Sequence, residues 1–204
     1  MANSHGPTRL GGTEPFHSGG QPLGFDVLDF WRWSASDLAS NVLRGRLAEY
    51  LVAQALNLTL ECRIEWDACD LRLPDGTPIE VKSAAYLQTW HQSRPSRIMF
   101  GIQPTYAWDA STNTTATDRR RPAVIYVFSL LHHADRDTLD PLDLTQWTFY
   151  VLPTRVLDER CPTQKTISLA GLLELQPHTT DYSGLAAAVS QAAGIGPLAE
   201  SSQG

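Results

Sequence analysis

The residues best suited to chemistry lie in one stretch, Trp66 to Ser83, which reads WDACDLRLPDGTPIEVKS. It contains two carboxylates and an ammonium, Asp70, Glu80 and Lys82, and a turn that decides whether they meet. The turn, Leu73-Pro74-Asp75-Gly76, suits type I geometry, with Pro at the second position and Gly free to take the positive φ of a G1 bulge. Such a three-residue loop pairs Leu73 with Thr77 and places Asp70 opposite Glu80. Because side chains alternate along a strand, Lys82 shares their face, while Cys69, Leu71, Leu73, Ile79 and Val81 fall on the other. A single register therefore predicts both an apolar face and the charged cluster. Shortening or lengthening the loop by one residue would send Asp70 to the opposite face. Asp67 is a rival for the first carboxylate, but the same register turns it away.

Two carboxylates at a hydrated edge bind a hard divalent cation through oxygen, and Mg²⁺ in such a site keeps several waters. An ion held there polarises a phosphodiester and supplies a hydroxide-like nucleophile at neutral pH. Lys82 would orient or activate the attacking water, or stabilise the charge of the pentavalent phosphorus. The plain alternative is a solvated strand face with an ordinary Glu–Lys pair, and an acid-x-Lys triplet is by itself a weak motif. Agreement between the turn chemistry and the face pattern favours the chemical reading. Of 16 basic residues only Lys82 and Lys165 are lysines.

Asp70, followed after a Gly-containing turn by Glu80-Val81-Lys82, resembles the D…(D/E)xK signature of the PD-(D/E)XK, restriction-endonuclease-like nuclease superfamily. The segment Arg44-Gly45-Arg46-Leu47-Ala48-Glu49-Tyr50 is similar to that superfamily's first core helix, whose glutamate commonly completes the metal site. Gly45, Ala48, Val52 and Ala53 lie on the Glu49 side of the helix and would permit close approach to a sheet. No proline precedes Asp70, where Ala68-Cys69 stands instead. The resemblance covers roughly residues 37–130. It implies an α/β fold with a mixed central β-sheet flanked by helices, the αβββαβ core of that superfamily. It also implies a Mg²⁺-dependent endonuclease acting on DNA, with Mn²⁺ able to substitute. Asp70, Glu80, Glu49 and the Val81 carbonyl would hold the metal, and Lys82 would assist the nucleophile. By the same analogy, the setting would be restriction, phage defence or a mobile element. One active site cuts one strand, so double-strand cleavage would imply a dimer or a second cutting event, and a homodimer or larger protein assembly is the partner expected besides DNA. For Glu49 the competing reading is a surface glutamate paired with Arg46 at helical spacing. Two other functions stay open: a catalytically inactive, nuclease-fold subunit that binds nucleic acid or serves in assembly, and a nuclease directed at RNA.

These residues need scaffolding, and the pattern along the chain supplies it. A helix is expected from about Asp37 to Leu56, capped by Ser36 or Asp37, with Leu38, Val42, Leu47 and Leu51 at helical spacing and Asn57 ending it. Strands are expected at Thr59–Trp66, Asp70–Leu73, Pro78–Ser83, Arg97–Gln103, Ala123–Leu130 and Trp147–Leu152. Pro104–Pro122 reads as a long polar loop, in which Arg119, Arg120 and Arg121 are candidates for binding substrate phosphates. Ser83, Tyr86 and Gln88, just past the motif, are candidates to touch substrate or metal-bound water. His132 and His133 would point to opposite faces of a strand, which argues against a shared metal. Trp31 and Trp33 are candidate partner contacts. A short helix after Pro153 and a closing helix at Tyr182–Ala193 complete a mixed α/β domain over residues 25–193, between a mobile arm at 1–24 and a flexible tail at 194–204.

Composition bounds the rest. The 204 residues carry a formal charge of −6 and are 42% hydrophobic, enough for one sizeable core and too acidic to coat nucleic acid by bulk charge. No segment has the roughly 18–20 consecutive apolar residues of a membrane span. Three cysteines at unrelated spacings give neither a disulfide framework nor a zinc pattern, so a cytoplasmic setting is expected.

Overall fold

The computed structural model describes residues 7–59, 62–63, 68–109 and 114–194. In chain order its elements are strands β1 (Pro15–Ser18) and β2 (Gln21–Asp26), helices α1 (Val27–Ala35) and α2 (Asn41–Ala55), and strands β3 (Leu71–Arg72), β4 (Pro78–Ala85), β5 (Met99–Gly101), β6 (Thr105–Asp109), β7 (Thr114–Arg120) and β8 (Ile125–Leu131). There follow β9 (Trp147–Pro153), α3 (Thr154–Arg160), β10 (Thr166–Ser168), α4 (Leu169–Glu174), β11 (His178–Thr180) and α5 (Leu185–Ala193). Among the described residues no helix is long and apolar enough to cross a membrane.

The central element is a five-stranded mixed sheet in the order β11-β9-β8-β4-β3. β4 and β8 run parallel, and every other pair is antiparallel. β8 is buried along its whole length, as a central strand covered on both faces must be. Alternation along the three inner strands divides the apolar residues between two cores. Ile79, Val81, Ile125, Val127, Phe149 and Val151 face α2 and α5, which contribute Ala48, Leu51, Val52, Ala188 and Val189. Ala84, Tyr126, Phe128, Leu130, Tyr150 and Leu152 face the opposite layer, built from the β5–β10 ribbon and helices α3 and α4 through Phe100, Ile167, Leu157 and Leu172. The mixed α/β class is thus as expected.

The hairpin that orders the charged cluster has the expected register. β3 pairs with β4 as Leu71 with Ile79 and Arg72 with Pro78. The Leu73 amide donates to the Thr77 carbonyl at 3.0 Å, and the Gly76 amide donates back to the Leu73 carbonyl at 2.8 Å. Gly76 takes φ +86°, the conformation that lets the bulge close without a Cβ penalty. Asp75 Oδ1 accepts from the Thr77 amide at 2.9 Å and finishes the turn.

Elsewhere the chain departs from its sequence pattern. The segment expected to be a mobile arm contains the β1–β2 hairpin, whose Gly19 and Gly20 both take positive φ and whose Phe16 and Phe25 rings pack 5.0 Å apart. A domain boundary at residue 25 would cut that hairpin. α1, begun by a reciprocal capping box between Asp26 and Asp29, carries Trp31 and Trp33 and buries none of its residues. The expected helix starts later, at Asn41, with Val42 two-thirds exposed and Arg44 buried on the sheet side. The expected loop 104–122 contains the β6–β7 hairpin, in which Thr105 faces Arg120 and Tyr106 faces Arg119. Among the described residues the crossover from β4 to β8 contains strands and loops and no helix, so the expected αβββαβ order is not reproduced there. Most of the expected strand Thr59–Trp66, the carboxylate of Asp67 and the tail beyond Gly194 lie outside the described residues.

Arg121 corrects another expectation. Its guanidinium is almost wholly buried and donates to the carbonyls of Ile102 (2.8 Å) and Cys161 (2.7 Å) and to Asp158 Oδ1 (2.5 Å). It ties the β5 end to the α3 end, and with its side chain only 1% exposed it does not present its guanidinium to a substrate phosphate. Arg121→Ala should therefore cost about 2–3 kcal/mol, read as a lower urea midpoint, because two enclosed carbonyls lose their donor. A midpoint equal to that of the wild type would show that the guanidinium is not a structural tie.

Candidate functional site

The site is built from the β3–β4 hairpin upward. Asp70 immediately precedes β3, and its Oδ2 accepts from the Val81 amide at 2.8 Å, so the carboxylate is anchored across the hairpin. Glu80 and Lys82 stand two residues apart on one face of β4, and Lys82 Nζ donates to Glu80 Oε1. Their side chains are about a fifth and a third exposed (18% and 31%), so the pair is wetted at the rim of the sheet. β3 pairs with β4 only as far as Ile79; beyond it, among the described residues, β4 has no strand neighbour on that side. The amide and carbonyl of one strand residue point to the same side. Since the Val81 amide reaches Asp70 across this open edge, its carbonyl faces the edge too.

Burial is the main cause that raises the Asp70 pKa, to about 6, and the negative charge of Glu80 adds to it. The Val81 hydrogen bond works the other way, Glu49 raises it further and Lys82 offsets a little. The charges of Glu80 and Glu49 thus both disfavour an ionised Asp70, a penalty that a nearby cation would relieve. Tyr126, opposite Glu80 on β8, is buried on the same face, and burial together with the Glu80 charge holds its phenol protonated.

The structure brings together Asp70, Glu80, Lys82 and the edge carbonyl of Val81. Glu49, on α2, is held by Arg63 through both carboxylate oxygens instead of by Arg46. Among the described residues no group of three or more His, Cys, Asp or Glu side chains forms a ready-made metal cluster. Asp70, Glu80 and the Val81 carbonyl nevertheless fit a hard cation by chemistry, since all are oxygen donors and the Asp70 carboxylate is short of positive charge. Ser83 turns to α2, where its Oγ accepts from Arg44 Nε at 3.2 Å. Gln88 is buried, and its Nε2 donates to the Ala85 carbonyl at 3.0 Å. Arg119 and Arg120 are exposed on β7, with Arg119 lying 5.0 Å over the Tyr106 ring. His132 and His133 bond to different partners, Thr148 and Thr138.

Sequence reasoning missed Arg44, Trp90 and Arg97, which line a cavity beside this edge. A signal for Arg44 existed, because it falls three, four and seven residues before Leu47, Ala48 and Leu51 and so belongs to the inner stripe of the helix.

A comparison with models of known protein families finds none that matches the chain, and a comparison with curated protein sequences finds none either. The site must therefore be interpreted from its own chemistry.

The raised Asp70 pKa has a thermodynamic consequence. A carboxyl whose folded pKa lies above its unfolded value near 4 makes the native state bind more protons between those two points. Its contribution to stability therefore falls as pH rises from about 4 to 6, and the full deficit persists above 6. Asp70→Asn keeps an acceptor for the Val81 amide and removes the charge. In EDTA it should stabilise the protein by about 1–3 kcal/mol at pH 8 and by little at pH 4, measured by urea unfolding. Equal stability of the two proteins at pH 8 would refute the desolvated carboxylate.

Proposed function

We propose that this protein is a divalent-metal-dependent nuclease that hydrolyses phosphodiester bonds in DNA, with a restriction-endonuclease-like core. The observation that carries the reading is the juxtaposition, set by one turn, of Asp70, Glu80, Lys82 and the Val81 carbonyl along an open sheet edge. A divalent cation bound there would neutralise phosphate charge and make water nucleophilic at neutral pH. Asp70 and Glu80 would hold it, together with the Val81 carbonyl, while Glu49 contributes negative charge from α2. Lys82 presents an ammonium beside Glu80, where it can hold a water by hydrogen bonding or donate from Nζ to a phosphate oxygen. The Val81 amide keeps Asp70 from swinging away when its charge is compensated, a positioning task that needs no movement of the hairpin.

A second reading, a nucleic-acid-binding subunit without the reaction, draws on the Glu49–Arg63 pair, which occupies the third carboxylate. Metal titration separates the two, because the nuclease must bind Mg²⁺ or Mn²⁺ through Asp70. Plasmid DNA should be cut with Mg²⁺ or Mn²⁺ and left intact in EDTA. Lys82→Ala and Asp70→Ala should each lower the rate by about 10²-fold or more. Equal cleavage by the wild type and both variants would overturn the site, and competition between DNA and RNA in the same assay identifies the preferred polymer.

A further inference from the structure

Between the first turn of α2 and the segment that continues β4 lies a cavity of about 240 Å³, lined by Asn41, Arg44, Ser83, Gln88, Trp90 and Arg97 among others. Among the described residues the lining holds two arginines and no Asp or Glu, in a chain whose formal charge is −6. Arg44 is only 5% exposed. Its guanidinium donates to Ser83 Oγ (3.2 Å), the Ala39 carbonyl (3.3 Å) and Asn41 Oδ1 (2.8 Å), all of them neutral acceptors. No carboxylate among the described residues pairs with it, so a buried positive charge stands uncompensated beside the cavity. Burial accordingly pulls its pKa below the usual guanidinium value.

Gln88 supplies a second, independent signal. It is 8% exposed, and the bond from Nε2 to the Ala85 carbonyl fixes which end of the amide is the oxygen. Oε1 is then enclosed with no donor among the described residues, a state that native structures seldom tolerate without a partner to come. The segment carrying it is firmly built. Arg136 donates to the Gln88 carbonyl (3.0 Å) and to Gln92 Oε1 (3.2 Å), and Gln92 Nε2 reaches Ser96 Oγ (2.9 Å). Trp90, 55% exposed, stands at the rim with ring surface to spare. The volume suits one phosphate group and its immediate attachments, not a whole drug-sized molecule.

We propose that this cavity is a strand-binding subsite: Arg44 and Arg97 take a phosphate of a nucleic-acid strand, Gln88 Oε1 accepts a hydrogen bond from the attached nucleoside, and Trp90 stacks on its base. Ser83 adjoins Lys82 in β4, so the subsite continues the edge that carries Asp70 and Glu80. Stacking on Trp90 requires a base released from its duplex, which selects single-stranded or frayed substrate. The anion site stands on Arg44 and Arg97, with Gln88 Oε1 calling for a donor beside it, whereas the choice of a polynucleotide as the ligand rests on the nuclease reading above.

The test is fluorescence anisotropy with a short labelled single-stranded oligodeoxynucleotide in EDTA, where cleavage does not run. Arg97→Ala and Trp90→Ala alter exposed side chains and should each weaken binding about tenfold. Arg97→Ala should also lower the salt slope by about one. The single strand should bind more tightly than the duplex, and inorganic phosphate at fixed ionic strength should compete. Wild-type affinity in the Arg97→Ala, Trp90→Ala double variant would overturn the subsite. Equal affinity for a mononucleotide and the oligonucleotide would overturn the strand as its ligand. Binding that depends on Arg97 and Trp90 without any cleavage would uphold the subsite and remove the nuclease. Cleavage that needs Lys82, with binding indifferent to Arg97 and Trp90, would do the reverse.

Discussion

The hydrogen bond from the Val81 amide to Asp70 Oδ2 is the contact on which the rest of the site depends. β3 has only two residues, too few to set a register by ladder bonds alone, so the turn at Pro74–Gly76 must do so. Once it has, Asp70 arrives at the β4 edge with one oxygen already bonded and its charge facing Glu80 and Glu49. Its raised pKa shows that the fold holds this carboxylate against an electrostatic penalty. A purely structural acceptor for the Val81 amide would be better served by a neutral side chain such as asparagine. A carboxylate that costs stability where a neutral group would serve marks a candidate functional position.

Among the described residues no strand covers β4 beyond Ile79 on the β3 side. Exposed strand edges invite pairing with other chains and are normally blunted. On β4 the blunting is done by side chains: Asp70 takes the Val81 amide, and Gln88 takes the Ala85 carbonyl. Between those two caps lies Ser83, whose hydroxyl is bonded to Arg44. The same alternation sends Glu80 and Lys82 to one face and Ser83 to the other, where its hydroxyl meets α2.

What was legible in the sequence was whatever local chemistry decides. The Pro-Asp-Gly turn, its register and the three inner strands all follow from φ preferences and a period of two, and all appear. Helix α2 was legible in existence but not in rotation, because Val42 counts as apolar by type while Arg44 counts as charged; packing against Ser83 and Asn41 reverses their places. The β1–β2 hairpin was not legible, since its exposed positions sit in a Gly- and Pro-rich segment, and the β6–β7 hairpin lies in a stretch whose polar composition reads as loop. β5 falls within the expected strand Arg97–Gln103, whereas β10 and β11, three residues each, are too short to carry a pattern of their own and are set by their pairing with β5 and β9. Arg119, Arg120 and Arg121 look alike in sequence, and only the tertiary placement of Asp158 and two carbonyls singles out the third.

The same contrast accounts for the lopsided use of basic residues. Arg44 and Arg121 both donate to several fixed neutral acceptors, and a planar fork with five donors suits that task better than an ammonium, which would be more strongly hydrated and more costly to bury. Lys82 is placed otherwise, partly exposed, beside a carboxylate, on a rigid strand. There a compact charge with rotatable donors can follow a phosphate oxygen or a water, and the arginine fork would fix one geometry only. The net charge of −6 therefore does not oppose a polyanionic partner. Net charge describes the whole chain, whereas binding is decided locally: Glu80 adds to the burial that raises the Asp70 pKa, and the buried Arg44 guanidinium on α2 has only neutral oxygens as its described acceptors.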